Sequence, residues 1–215
     1  MDEQRELVVV GAGGHATVVI DALITSGRIP AFILDDDPAK CGAEIGGISV
    51  RGPLAQMSPQ EFHRCSIVVA IAKNDLRRRL VSELLGRGAT FSGVRHPSAI
   101  VSRQALIDPT AQIMAGAIVN AGAKVKAHAV LNTGCIVEHD VTVSEYAHIG
   151  PGAVLAGAVV LEEGAFAATG AKACPFVRLG SWSTLGAGAV ALHDVPSGAV
   201  AVGVPARPIR KRGRA

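Results

Sequence analysis

Apolar positions in the second half of the chain recur every six residues. Val101, Ile107, Ile113, Val119, Val125 and Leu131 begin a series that runs to Ala191 and stays apolar at all sixteen steps. A second series, offset by four residues and starting at Ala105, is small at every step; Cys135 and Ser183 are its only members that are neither Ala nor Val. Two phase-locked series of this length mark a hexapeptide-repeat parallel β-helix, in which each repeat is one short strand and one turn. Three hexads make a triangular coil, so residues 18 apart stack and sixteen hexads make roughly five coils. The aliphatic residue fills the interior, and the small residue sits near a corner. Gly116, Gly122, Gly134, Gly152, Gly164, Gly170 and Gly188 precede members of the small series, where turns call for positive φ. The 3.6-residue period of an amphipathic helix and the three-residue glycine period of collagen are both absent.

The first ninety residues follow another pattern. ELVVV (6–10), 31–34 and 66–71 are short apolar runs that predict strands. Between them, Val18, Val19, Ala22 and Leu23 predict a helix ending near Gly27. Leu76, Leu80, Val81, Leu84 and Leu85 predict another, with Asn74 as its N-cap and Gly86 or Gly88 at its end. Strands alternating with helices imply a small parallel sheet. The expected organisation is a Rossmann-like α/β domain over residues 1–92 and a β-helix over 93–215.

Composition narrows the function classes. The chain is 49% hydrophobic but only 3% aromatic, as a thin coil interior requires, and its net charge of +3 is too small to argue for nucleic acid. Basic residues gather in the tail (Arg207, Arg210, Lys211, Arg212, Arg214), which reads as a solvated terminus or a phosphate contact. Cys41, Cys65, Cys135 and Cys174 have no metal or disulfide spacing, and Cys135 occupies a small-residue slot that predicts a buried thiol. MDEQRE lacks the form of a signal peptide, and no apolar run is long enough to span a bilayer, so a cytoplasmic protein without membrane contact is expected.

Two places carry candidate chemistry. Gly11, Gly13, Gly14 and His15 follow a strand and open a helix, where backbone N–H groups can approach a phosphate. Asp35 ends the next strand, where a dinucleotide fold places its ribose-binding acid. About ninety residues suit a mononucleotide or nucleotide-sugar site better than a whole dinucleotide fold; a nicotinamide site and a purely structural turn are the alternatives. In the coils, His139 stands between Glu138 and Asp140 in a stretch otherwise poor in charge. Stacking by 18 places Ala121 and Gly157 on either side of it. An imidazole beside a carboxylate can take a proton at neutral pH; a histidine on a solvated turn is the plainer reading. His128, His139, His148 and His193 lack the H-x4-H spacing of a trimeric zinc site, so no metal is expected.

GAGGHA, LDDD, LNTGCIVEHDVTVSEYAHIGPGAVLAG and the closing VGVPARP together resemble the nucleotide-sugar acetyltransferases that include bacillosamine-pathway UDP-amino-sugar N-acetyltransferases and sialic acid O-acetyltransferase-like proteins. The resemblance spans nearly the whole chain, and it implies a left-handed β-helix. It also implies His139 as general base, Asp140 as the acid that orients it, Asn132 in the active site, and Gly157 as the N–H facing the thioester oxygen. Relatives often have Glu at the position of Asp140. His148 and Thr169 fall near acetyl-CoA, the implied co-substrate. Gly13, Gly14 and His15 fall on phosphate and sugar contacts, Asp35 and Asp36 on uridine contacts, and Ala72 where relatives carry a substrate-side Gly. The implied activity is acetyl transfer from acetyl-CoA to the amine of a UDP-linked 4-amino-4,6-dideoxy sugar, in a homotrimer with sites between subunits. The alternatives are O-acetylation of a sialic acid or related sugar, and a non-catalytic nucleotide-sugar-binding protein.

Overall fold

In the computed structural model residues 5–209 are described, and they divide into two compact units that meet at Pro97 and Ser98. The sequence expectation set the boundary at 92/93. The basic tail beyond Arg207 lies outside the described residues.

The first unit is built on β1 (Glu6–Val10), α1 (Gly14–Thr25), β2 (Phe32–Leu34), β3 (Glu44–Ile45), β4 (Ile48–Gly52), α2 (Pro59–Arg64), β5 (Cys65–Val69), α3 (Asn74–Gly86) and β6 (Thr90–Phe91). The sheet order is β3-β4-β2-β1-β5-β6, parallel throughout except for the β3–β4 hairpin. Val8 pairs with Phe32 on one side and Ile67 on the other. The chain therefore moves outward in both directions from β1, and the crevice at its carboxyl end is a topological switch point. Val8, Val9, Ile33, Ile67 and Val68 are wholly buried, as are Val19, Ile20 and Leu23 of α1. Removing a side chain of this kind from water stabilises by ~1.5–3 kcal/mol.

Three local features depart from the sequence expectation. Asn74 is the first helical residue of α3 rather than its cap; Lys73 is the cap residue, and the Asn74 Oδ1 accepts from Arg77 instead. The β3–β4 hairpin did not announce itself, because β3 has only two residues, both paired with β4 across Gly46 and Gly47, which are at positive φ. Helix α2 opens with a reciprocal capping box between Ser58 and Glu61.

In the second unit, sixteen two-residue strands run from Ile100–Val101 to Val190–Ala191. Through Lys172–Ala173 each pairs in parallel with the strand 18 residues on, as Ile118 does with Ile136 and Val130 with His148; the repeat then shortens, and Thr184 pairs with Val200. The result is three flat sheets joined at three corners, a parallel β-helix. From Ile113 onward the aliphatic series is almost wholly buried, as is the small series from Ala117. Between strands the chain makes a four-residue turn, closed for example by Ala117 N donating to Met114 O at 3.3 Å. From Gly116 to Gly188 the third residue of each turn has positive φ, the requirement of a type II turn, and all seven glycines singled out by the repeat adopt it. Burial pushes the Cys135 thiol up to about 12, so it is a packing residue and not a nucleophile.

Candidate active site

The six sequence-predicted substrate residues of the first unit line one cavity. Gly13, Gly14, His15, Asp35, Asp36 and Ala72 surround a space of about 460 Å³ at the switch point, walled also by Leu54, Ile71, Lys40 and Lys73. That volume lies in the usual range for a small-molecule site, ~300–1,000 Å³. The glycines of the loop differ in purpose. Gly11 has φ +107°, and an added Cβ would stand 3.0 Å from the Ala70 carbonyl oxygen, so the fold itself requires it. At Gly13 and Gly14 an added Cβ would meet nothing within 4 Å. Their bareness serves the cavity. Helix α1 starts there with no side-chain cap and no acidic residue in its first turn, which leaves its N-terminus suited to an anion.

The two acids are anchored by backbone. Asp35 Oδ2 accepts from Ala12 N at 2.6 Å and Oδ1 from Asp37 N at 3.0 Å, while Lys40 Nζ lies 3.1 Å away. Burial pushes the Asp35 carboxyl up, but the Asp37 and Ala12 N–H groups and the Lys40 ammonium outweigh it and hold it below the ordinary carboxylate value. Asp36 Oδ1 accepts from Leu54 N at 2.9 Å. These bonds pin the glycine loop and the segment before α2 to the end of β2. A further residue, not found by sequence reasoning, pins the opposite wall. Arg77 is wholly buried and donates to the Ile71 carbonyl at 2.8 Å and the Ala72 carbonyl at 3.1 Å. An arginine on the inner face of a predicted amphipathic helix was the signal for it.

In the second unit, His139 and Asp140 are the central pair of one corner turn. His139 Nδ1 lies 2.9 Å from Asp140 Oδ2, and both side chains are mostly exposed. Asp140 has φ 60°, and its N–H donates to Ala121 O at 3.1 Å. Gly157 sits one coil on; a Cβ there would be 2.5 Å from His139 Nε2. The ring therefore occupies the space that the missing side chain leaves. Ala156 N donates to Ala173 O and Ala158 N to His139 O, but the Gly157 N–H has no acceptor among the described residues. An imidazole oriented through Nδ1 keeps Nε2 for proton transfer, and a free N–H beside it can receive a developing oxyanion.

The remaining candidates lie on the next corner. Asn132 Nδ2 is 3.3 Å from His148 Nε2, and Asn132 Oδ1 accepts from Thr133 N at 2.8 Å. Ring against ring, His148 meets Phe166 with centroids 5.0 Å apart. Thr169 occupies the turn slot of Thr133 two coils on; its carbonyl accepts from Gly188 N at 2.9 Å. One chain thus brings His139, Asp140 and Gly157 together at one corner and holds Asn132, His148 and Thr169 at another. Among the described residues no group of His, Cys, Asp or Glu side chains is gathered as a metal site requires, and no helix is long and apolar enough to cross a membrane.

Residues 6–84 match the family described as the PglD N-terminal domain. The chain is 36% identical to PerB from Caulobacter crescentus, solved in complex with CoA and GDP-perosamine; the match covers 95% of this chain and 97% of that one, with a TM-score of 0.89. It is 34% identical to the acetyltransferase domain of PglB from Neisseria gonorrhoeae, solved with acetyl coenzyme A, over 96% of this chain and 100% of that one, with a TM-score of 0.86. Serine acetyltransferase of Bacillus subtilis is 28% identical over 155 residues, and this stretch spans 71% of the chain but only 63% of that curated relative's length.

Proposed function

The chain belongs to the hexapeptide-repeat nucleotide-sugar N-acetyltransferases, and from that premise we propose that it transfers acetyl from acetyl-CoA to the 4-amino group of a nucleotide-linked 4-amino-4,6-dideoxy sugar. The observation that carries this reading is the corner at which His139, held through Nδ1 by Asp140, lies over the bare face of Gly157. In the proposed step the neutral amine attacks the thioester carbonyl, and His139 Nε2 takes its proton as the C–N bond forms. The Gly157 N–H holds the oxyanion, a contribution typically worth ~3 kcal/mol. Collapse expels the CoA thiolate, which recovers the proton from His139, leaving an amide and free CoA. Asp140 positions the ring and stabilises the imidazolium.

The cavity of the first unit is the proposed nucleotide site, with the diphosphate over Gly13, Gly14 and the α1 N-terminus. Asn132, His148 and Thr169 belong to a different corner, so a complete site needs the corner of a second copy. A homotrimer with acetyl-CoA in the groove between neighbouring β-helices meets that need. A cytoplasmic setting, where acetyl-CoA is available, belongs to the same reading. The nucleotide is taken as UDP, in line with the residues shared with UDP-amino-sugar enzymes. GDP is the second reading, favoured by the likeness to PerB, whose structure holds GDP-perosamine. Acetyl transfer assayed with matched UDP- and GDP-linked 4-amino sugars separates them. Turnover with the UDP sugar at least ~10-fold more efficient supports the first, the reverse supports the second, and transfer to neither overturns the proposal.

A further inference from the structure

Thirteen consecutive corner turns, from Gly116 to Gly188, hold their third residue at positive φ; seven of these residues are glycine and six are not. A left-handed backbone costs stability at any residue with a Cβ. Five of the six have an account within the chain. His128 and Tyr146, one coil apart, stack with ring centroids 5.4 Å apart. Trp182 covers Gly164, where a Cβ would come within 2.4 Å of its ring. Asp140 is short, polar and bonded to His139, and Ala158 carries only a methyl group. The sixth is Phe176. It is bulky, has φ 65°, and is 82% exposed, so packing does not repay its strained backbone.

Its place on the β-helix gives the reason. Phe176 N donates to Gly157 O at 3.1 Å. This is the counterpart of the bond that Ala158 N makes to His139 O, so Phe176 stands on the Asp140–Ala158 column of the same corner, one coil beyond Ala158 and two beyond Asp140, ~5 and ~10 Å along the axis, with Pro175 on the neighbouring column of His139 and Gly157. On the other side of the His139–Asp140 pair the same corner offers only Ala121 and Gly122. Apolar surface next to the reacting corner is thus provided in one direction alone.

We propose that Phe176 is a contact for the pantetheine arm of the acyl donor, its ring covering the methylene and amide stretch that leads away from the thioester sulfur. This rests on the reading that the His139–Gly157 corner holds the thioester. An arm that runs along the corner from Gly157 passes the exposed ring within one coil, and the energy of that contact is what offsets the strain.

The test uses the full chain. CoA binding by calorimetry and steady-state acetyl transfer are measured for the wild type, Phe176→Gly and Phe176→Tyr. Glycine relieves the backbone, so Phe176→Gly melts no lower than the wild type. Its Kd for CoA rises ~10-fold, and KM for acetyl-CoA rises with it rather than KM for the amino sugar. Phe176→Tyr, which keeps the ring, loses less than ~3-fold. An unchanged CoA affinity in Phe176→Gly, a loss confined to the amino sugar, or a fall in particle mass by light scattering overturns the contact. Wild-type protein that binds no CoA overturns the acyltransferase reading beneath it as well.

Discussion

In the coils a residue's neighbours follow from adding or subtracting 18; in the α/β unit Val8 meets Phe32 and Ile67 at separations that no period supplies. The contrast decides how each unit builds its site. A coil corner can change two exposed residues, His139 and Asp140, and the glycine that the ring covers, Gly157, while the interior series passes beneath them unaltered. The α/β unit has no such independence. Its cavity walls are the ends of core strands, and Asp35, Asp36 and Arg77 spend side-chain hydrogen bonds on holding those ends in place. Function is therefore separable from stability in the coils and entangled with it around the cavity.

Substitution can break that contrast at its strongest point. Gly157→Ala places a methyl group where the His139 ring now lies, and the exposed ring can swing away without disturbing the interior. We expect kcat to fall ~100-fold while the melting temperature holds; a matching loss of stability would show that the corner is not independent. A pair of loop variants sharpens the other side. Gly11→Ala meets both a positive φ and the Ala70 carbonyl, and urea unfolding should register a loss of ~2 kcal/mol. Gly13→Ala meets no protein atom, so its stability stays within ~0.5 kcal/mol of the wild type while KM for the nucleotide sugar rises. Equal destabilisation by the two would deny that Gly13 serves a ligand. The smallest effect lies inside the repeat. Ser183 is the polar member of the small series whose buried hydroxyl finds no partner among the described residues, so Ser183→Ala should raise stability by ~1 kcal/mol in the same unfolding measurement.

How much of this was legible in the sequence follows the same division. The repeat gave its own register, and with it the closeness of His139, Ala121 and Gly157, because a period of 18 fixes contacts without any knowledge of side chains. Phe176 was legible by the same rule, as a bulky residue in a slot that glycine fills seven times, but its exposure needed coordinates. In the α/β unit the strand–helix alternation and the glycine loop were readable from local pattern. The β3–β4 hairpin was not, since so few paired residues leave almost no periodicity. Nor was the engagement of Asp35 by Ala12 and Lys40, which depends on how separate strand ends converge.

Everything proposed for the coil corner turns on His139 as the base for acetyl transfer to a nucleotide-linked amine. Single-turnover acetyl transfer by His139→Ala, at a melting temperature matching the wild type, tests it most directly. We expect a rate at least ~100-fold below the wild type with CoA affinity retained; a His139→Ala protein that transfers acetyl at the wild-type rate would remove His139 as the base.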